Sequence, residues 1–558
     1  LSILIAAILV GVALRVIWAL ILPYNDAPDE YCHWPMVAYL AEHHHPPTMK
    51  DVPSPIPVSY PAMSSIGYII PAIGAAIVGE DEPNAYLAAR FAQALLGSLF
   101  LWLTYRASAD AFPGDSLISL IVVWLASLHP QLVFSFAYVN NDASMLTVSA
   151  GLWWVVMRIA RQGFRPSLGG WAAGLFALAI LCKTNAIGLA ILFLPILFLM
   201  LIDGPYSRRR SVATMVASFV LVTLPWWVFS LYHHRSLYGF DVHAHWWRNY
   251  ILEKNIPQGF LTFDQLGTFL VDTWESSWAS FGYTSVQIES VAYLLATSLA
   301  AMALGLLIAR PRMIATRVSL FLVAGFVGVW IAHIYHSMTV GMAAQGRYVL
   351  PATFSVLMLL AAGTQAIGRS TVSRTWAGLG VVLIVGWFQY LSYHAEEKSN
   401  RILQPDRRVR ARLVAFSGDL PGKLGSPPIQ YQPIGTIQES PLGDRIVLET
   451  TEGSAFRWPV AVPASSVGGI LIDQHWIGGT LPHGRLRVIS ADGAGVPLGE
   501  IPCVDPIIGR IRLRFDLRRL TTTLGDRPIW IEYVPSDQKA RLVIPAWSLL
   551  TPDLSPWN

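Results

Sequence analysis

The chain opens LSILIAAILVGVALRVIWALIL (Leu1–Leu22) and, after Pro23 and Tyr24, reads NDAPDEYCH (Asn25–His33). The first run carries one charge, Arg15, and is long enough to cross the about 30 Å of hydrocarbon in a bilayer as one helix. The adjacent acids Asp29 and Glu30 therefore stand just outside the hydrocarbon. Acids so placed read as a helix N-cap with a second, dipole-complementing acid, or as a chemical pair. The two roles do not exclude each other.

Composition extends the membrane reading to the whole chain. Of 558 residues 54% are hydrophobic and 13% charged, with 21 Trp, and mean hydropathy is +0.47. A soluble domain carries nearly twice that charged fraction and lacks repeated long apolar runs. A net charge of +4, with basic residues in short loops rather than on one stripe, gives no reason to expect nucleic acid. Cys32, Cys182 and Cys503 lie far apart without ligand spacing, so neither a disulfide framework nor a zinc site follows; a Cys32–Cys503 pair is left open. Because the first residue is Leu, we expect the natural N-terminus to lie upstream, with the first span able to insert without a signal peptide.

Windows of about 19 residues predict about 11 transmembrane helices, near 1–22, 87–105, 116–134, 144–160, 168–186, 187–202, 212–232, 289–309, 318–337, 349–368 and 375–394. The short apolar segment 64–79 reads as re-entrant or interfacial. Arg106, Arg158, Arg161, Arg165, Arg208, Arg209, Arg210, Arg310, Arg312, Arg317, Arg369 and Arg374 fall in one set of loops, which the positive-inside rule makes cytoplasmic. The N-terminus is then cytoplasmic, and the connections 23–86, 135–143, 233–288 and 338–348, with everything after about 395, are extracytoplasmic.

Beyond residue 396 short alternating runs such as Arg485–Ile489 and Arg510–Leu517 are separated by Gly, Pro and Asp. This predicts a C-terminal extracytoplasmic all-β sandwich domain, 396–558, behind a membrane domain, 1–395. Trp458, Trp476 and Trp530 read as core or as sugar-stacking rings.

Four outside loops concentrate polar residues. The first holds Asp26, Asp29, Glu30 and His33, then Pro46, Pro47, Pro53, Pro55, Pro57 and Pro61. The second is Tyr138–Asp142 (YVNND), which also reads as a cap for a helix starting at Ala143. The third is Lys183 among apolar residues, a snorkelling cation or an anion partner. The fourth is Gln345-Gly346-Arg347-Tyr348 before an apolar run. Carboxylates within reach of an alcohol can take its proton, and Arg or Lys at the membrane surface can hold a phosphate as it leaves. Glycosyl transfer from a polyprenyl phosphate needs these parts and an apolar slot for the lipid. Arg15 pairs with a neighbouring acid or reaches an interface; the sequence does not choose.

The motifs Pro-Asp-Glu, His45-Pro46-Pro47 and Tyr60-Pro61 resemble the first outside loop of GT-C glycosyltransferases, among them the lipid A aminoarabinose transferases and protein O-mannosyltransferases. The fuller set, PDExxH, YVNNDA, KTN, Phe281-Gly282-Tyr283 and QGRY, is similar to bacterial membrane proteins of that class, over about residues 1–395. The resemblance implies catalytic acids at Asp29 and Glu30, a second acid at Asp142, Lys183 near the lipid phosphate, and Arg347 with Tyr348 as late-loop contacts. His33, Tyr60 and Asn141 join these as substrate contacts. His33 and the β domain depart from the named relatives, so the donor sugar is not implied. Some GT-C enzymes use a divalent metal ion, for which Asp29 and His33 are the candidate ligands.

The reading is an inverting glycosyltransferase of the bacterial inner membrane, moving a sugar from a polyprenyl-phosphate donor to an extracytoplasmic glycan or lipid acceptor. The alternatives are a transporter or flippase of lipid-linked sugars, or a non-catalytic membrane assembly subunit. Intramembrane charge also marks transport pathways, but no matching broken helices in two halves are evident.

Overall fold

In this computed structural model the described residues are 2–22, 27–52, 60–79, 82–203, 206–253, 260–281, 286–310, 314–367 and 370–403, with strands between 410 and 553. Asn25, Asp26, Pro53, Pro55, Pro57, Gly282, Tyr283 and Cys503 lie outside them, as do the side chains of Trp458, Trp476 and Trp530.

The helices in chain order are α1 (Ser2–Ile21), α2 (Glu30–His43), α3 (Ile69–Val78), α4 (Glu82–Ala111), α5 (Ser116–Leu128), α6 (Pro130–Ser135), α7 (Asp142–Gln162), α8 (Pro166–Cys182), α9 (Phe193–Ile202), α10 (Arg208–His234), α11 (Phe240–Glu253), α12 (Leu266–Trp278), α13 (Ser290–Ala309), α14 (Thr316–Thr339), α15 (Thr353–Ile367) and α16 (Thr371–Leu403). Single 3₁₀ segments cover Ser65–Tyr68, Thr184–Leu192 and Gly346–Ala352.

Among the described residues, 9 helices are long and apolar enough to cross a membrane. Two of the eleven expected spans are shorter. The run 116–134 breaks where α5 ends at Leu128 and α6 starts at Pro130. Proline has no N–H to donate and disfavours helical dihedrals in the residue before it, and His129 is extended (φ −64°, ψ 116°). The run 168–186 stops at Cys182; Lys183 is extended (φ −159°, ψ 131°) and the chain resumes as the 3₁₀ segment Thr184–Leu192. Non-helical backbone at that depth is tolerated where it is buried in protein or lines a cavity. The segment 65–78 is apolar but too short to cross.

Burial sorts the spans. Asp142–Gln162 and Gly346–Ile367 are each 83% buried, against 17% for Arg208–His234 and 22% for Thr371–Glu396. α7 and α15 are thus the centre of the bundle, and α10 presents Val216, Leu221 and Val228 outward, as lipid-facing residues do. Small residues let backbones close up. A Cβ on Gly188 would sit 2.5 Å from Val329 Cα, so the 184–192 segment crosses α14 at van der Waals contact. α7 packs on α4 and α8, and α13 on α15. Arg15 is fully buried: Nη1 donates to Gly11 O (2.8 Å), and the guanidinium lies 5.1 Å from the Phe136 ring centroid, in space left by Gly97.

Two short strands, β1 (Ser280–Phe281) and β2 (Val286–Gln287), pair antiparallel. Beyond α16 the described residues are strands β3 (Arg410–Phe416), β4 (Ile437–Glu439), β5 (Ile446–Glu449), β6 (Phe456–Pro463), β7 (Gly469–Trp476), β8 (Gly484–Ser490), β9 (Gly495–Ile501), β10 (Arg510–Asp516), β11 (Pro528–Pro535) and β12 (Arg541–Asp553). Their order is β10-β7-β12-β5-β4, with β3 on β12, and β6-β11-β8-β9.

Candidate active site

The two most buried spans both begin at the site. α7 starts with Asp142, and Arg347 and Tyr348 lie in the 3₁₀ segment that leads into α15. Trp153 Nε1 donates to Pro351 O (3.2 Å), tying these two elements together. Gly346 admits the crossing of α12: a Cβ there would fall on the Ser277 backbone, and its N–H donates to Ser276 Oγ (2.7 Å).

Asp29 occupies the N-cap position of α2 but makes no side-chain cap bond, and its backbone is left-handed (φ 60°, ψ 10°). A non-glycine residue in that region stores strain and is enriched at functional sites. Its carboxylate turns instead to Arg347, whose Nη2 donates to Asp29 Oδ2 at 2.5 Å. Arg347 Nη1 also reaches Pro28 O (3.5 Å). Lys183 Nζ donates to both oxygens of Asp142 (2.7 and 2.8 Å). It does not snorkel. Tyr348 stands between the cations, its ring centroid 5.5 Å from Lys183 Nζ and 5.2 Å from Arg347 Cζ.

The YVNND loop divides its labour. Asn140 caps α7, its Oδ1 accepting from Ala143 N (3.0 Å), while Gln93 bonds its backbone. Asn141 lines the site and its Oδ1 has no partner; Asp142 takes Lys183.

Glu30 is placed differently from Asp29. It is fully buried, accepts from Arg90 Nε (2.9 Å) and Nη2 (2.6 Å) and from Val139 N (2.8 Å), and does not line the chamber. Arg90 also donates to Ala19 O and Leu22 O. This pair clamps the end of α1 and the start of α2 onto α4, next to Asp29.

Asp29, His33, Tyr60, Asn141, Lys183, Arg347 and Tyr348 line one chamber of about 70 Å³. Ile180, Thr184, Asn185, Tyr238, Phe240, His336 and Tyr348 also line an adjoining groove of about 1140 Å³, whose other walls include Ile187, Leu194, Phe219, Val329 and Ile331. A small polar chamber therefore opens into a large apolar groove. His33 Nδ1 lies 2.7 Å from Tyr68 OH, and the Tyr60 ring stands edge-on to it at 4.9 Å. Burial pushes the His33 imidazole down to about 3 and that of His243 to about 4, and holds the Tyr60 and Tyr138 phenols well above their usual range. All four are neutral at pH 7.

The donor set does not fit the divalent metal raised from sequence. Asp29 is turned to Arg347, His33 spends Nδ1 on Tyr68, and among the described residues no three His, Cys, Asp or Glu converge as ligands.

Sequence reading passed over Arg90, Tyr68, Asn185, Tyr238, His243 and His336. Arg90 had a signal, a lone charge inside an apolar run, and Asn185 stood in the KTN motif.

Spans, chamber and groove define a polytopic α-helical membrane protein with a polar site against a lipid-sized channel. No family model matches the chain, and no curated protein matches it significantly. Among solved structures it is similar to ArnT from Cupriavidus metallidurans bound to undecaprenyl phosphate (TM-score 0.48, 15% identity, 68% of this chain and 62% of that one). It is similar too to the arabinosyltransferase EmbB from Mycobacterium smegmatis (0.42, 12%, 98% and 64%), and to the oligosaccharyltransferase AglB from Archaeoglobus fulgidus in complex with an inhibitory peptide and a dolichol-phosphate (0.44, 12%, 71% and 55%). The chain spans about 62% of the length of the first. Each is a structure this chain is similar to; none fixes its reaction.

Proposed function

We propose that this chain is an inverting glycosyltransferase that takes a sugar from a polyprenyl-phosphate donor and passes it to a glycan or lipid acceptor. The observation that carries the reading is the meeting of Asp29, Lys183 and Arg347 in one chamber that opens into the apolar groove. The groove takes the lipid tail. The phosphate draws Arg347 and Lys183 as charge-assisted donors, and Arg347, in turning to it, uncovers Asp29.

Transfer is then a single displacement. Asp29 accepts the proton of the acceptor hydroxyl as its oxygen bonds to the anomeric carbon and the bond from that carbon to the phosphate oxygen breaks. The proton ends on Asp29, and the polyprenyl phosphate leaves against Lys183 and Arg347. The resting chamber is small, so the turn carrying Tyr238 and Phe240, which borders both chamber and groove, shifts as the headgroup enters.

The site faces the extracytoplasmic side of a bacterial inner membrane, with the N-terminus cytoplasmic. In support, Arg161–Asp110, Arg317–Asp203 and Arg374–Asp115 knit the Arg-bearing loops. The strands between Arg410 and Asp553 are read as an extracytoplasmic all-β domain; α16 runs to Leu403, so the membrane part extends past the boundary at 395 expected from sequence. Incubating the purified protein with polyprenyl-phosphate sugars labelled in the sugar and a cell-envelope extract as the source of acceptor tests the reading: label leaves the lipid, beyond what the extract alone releases, if it holds, and stays on the lipid for a flippase or an assembly subunit.

A further inference from the structure

Resting on the transferase reading, the same chamber says what kind of sugar it takes. Among its described lining residues Asp29 is the carboxylate and Lys183 and Arg347 are the cations. Base and phosphate use all three, and the rest of the polar lining is neutral. Four neutral lining groups, His33 Nε2, Asn141 Oδ1, Asn185 Nδ2 and His243 Nδ1, are buried without partners, although buried polar atoms are nearly always bonded. His33 and Asn141, on residues 2% and 5% exposed, are the two that one element positions together.

One short turn sets both. Tyr68, closing the 3₁₀ segment Ser65–Tyr68, holds His33 Nδ1 at 2.7 Å. Its neighbour Gly67 lies against Asn141, a Cβ there falling 2.8 Å from Asn141 Cβ, and Ser144 Oγ donates to Gly67 O. Taking the phenol as the donor to Nδ1, Nε2 carries the proton and is a free donor, while Asn141 Oδ1 is a free acceptor, on two residues that both line the chamber. A hydroxyl both donates and accepts, so one donor and one acceptor on the same wall complement it. The low imidazole pKa keeps His33 uncharged, so it reads hydroxyls and does not trade protons.

We propose that His33 and Asn141 form a hydroxyl-reading subsite, and that the donor carries a neutral polyhydroxyl sugar rather than an amino sugar or a uronic acid. A protonated amine there would face the Nε2–H donor, and a carboxylate would bring a second anion to cations already engaged by the phosphate; either leaves a buried charge unmatched.

Competition binding to the purified full chain tests this with four probes: bare polyprenyl phosphate and the same lipid phosphate bearing a neutral hexose, an amino hexose or a hexuronic acid. The neutral-sugar lipid should bind about tenfold tighter than the bare one, the worth of one to two good hydrogen bonds, and the charged-sugar lipids no tighter than it. His33→Ala and Asn141→Ala should each remove most of that gain. Bare-lipid affinity reports that the variants are folded. Tyr68→Phe, which leaves no cavity and frees the tautomer, should cost about threefold. A charged-sugar lipid that binds tightest, three sugars that bind like bare lipid, or a gain that survives in all three variants overturns the subsite. Failure of bare polyprenyl phosphate to bind at all overturns the transferase reading itself, and the subsite with it.

Discussion

Glu30→Gln separates architecture from chemistry at two adjacent acids. Glu30 is fully buried and Arg90 is 2% exposed; the carboxylate accepts three hydrogen bonds, two from that guanidinium. Neutralising it leaves Arg90 charged and buried without its counter-ion, which costs about 3–5 kcal/mol. At about 2 °C per kcal/mol for a large chain, the midpoint should fall by about 6–10 °C. Adding Arg90→Met removes the stranded charge, and the double variant should regain at least half of the loss. Thermal unfolding in detergent for the single and double variants, with transfer assayed below both midpoints, makes the comparison. The single variant should keep transfer within about tenfold of the parent. A Glu30→Gln protein that unfolds like the parent and loses transfer a hundredfold refutes the reasoning, because Glu30 would then act on a reactant.

Lys183→Met should weaken polyprenyl-phosphate binding by about tenfold or more and destabilise the fold by about 3–5 kcal/mol, since Asp142 is fully buried; Asp142→Asn added to it should recover stability but not binding, as titration with the lipid phosphate will read. Stability should fall with acid. His33 is neutral in the folded chain down to about pH 3, whereas the unfolded imidazole titrates near 6.5, so the unfolded state gains protons first and about 2 kcal/mol is lost between pH 7 and 5, seen as a shift in chemical-denaturation midpoint that His33→Asn abolishes. Gly239→Ala should disrupt the lip of the chamber, because φ is +71° and a Cβ would fall on Ala62 O; cross-linking or fluorescence across the 236–241 turn should report it, with a loss of donor affinity.

The apolar runs were legible because each span repeats one simple signal, and Asp29, Lys183 and Arg347 because a charge at a span's edge is costly unless it has work. The span breaks at Pro130 and Lys183 were harder to read, since hydropathy windows average over a change of dihedral angle. Glu30 and Asp29 look alike in sequence. What separates them is Arg90, sixty positions on, whose pairing belongs to the packing of α4 against the end of α1. Likewise Gly67 and Asn141 are far apart in the chain, and a glycine is what lets the turn ending at Tyr68 lie against Asn141 and the start of α7. The three aromatics of the β-rich part fall outside the described side chains, so their choice between core and sugar stacking stays with the sequence.

The most direct measurement is sugar transfer by Asp29→Asn beside its binding of polyprenyl phosphate. A base contributes about 10²–10⁴-fold, so label should leave the lipid at least a hundredfold more slowly while the lipid phosphate still binds, because Lys183 and Arg347 are intact. Unchanged transfer by the variant, or labelled lipid that reaches the other membrane face with its sugar still attached, would contradict the assignment of Asp29 and the cavity built around it.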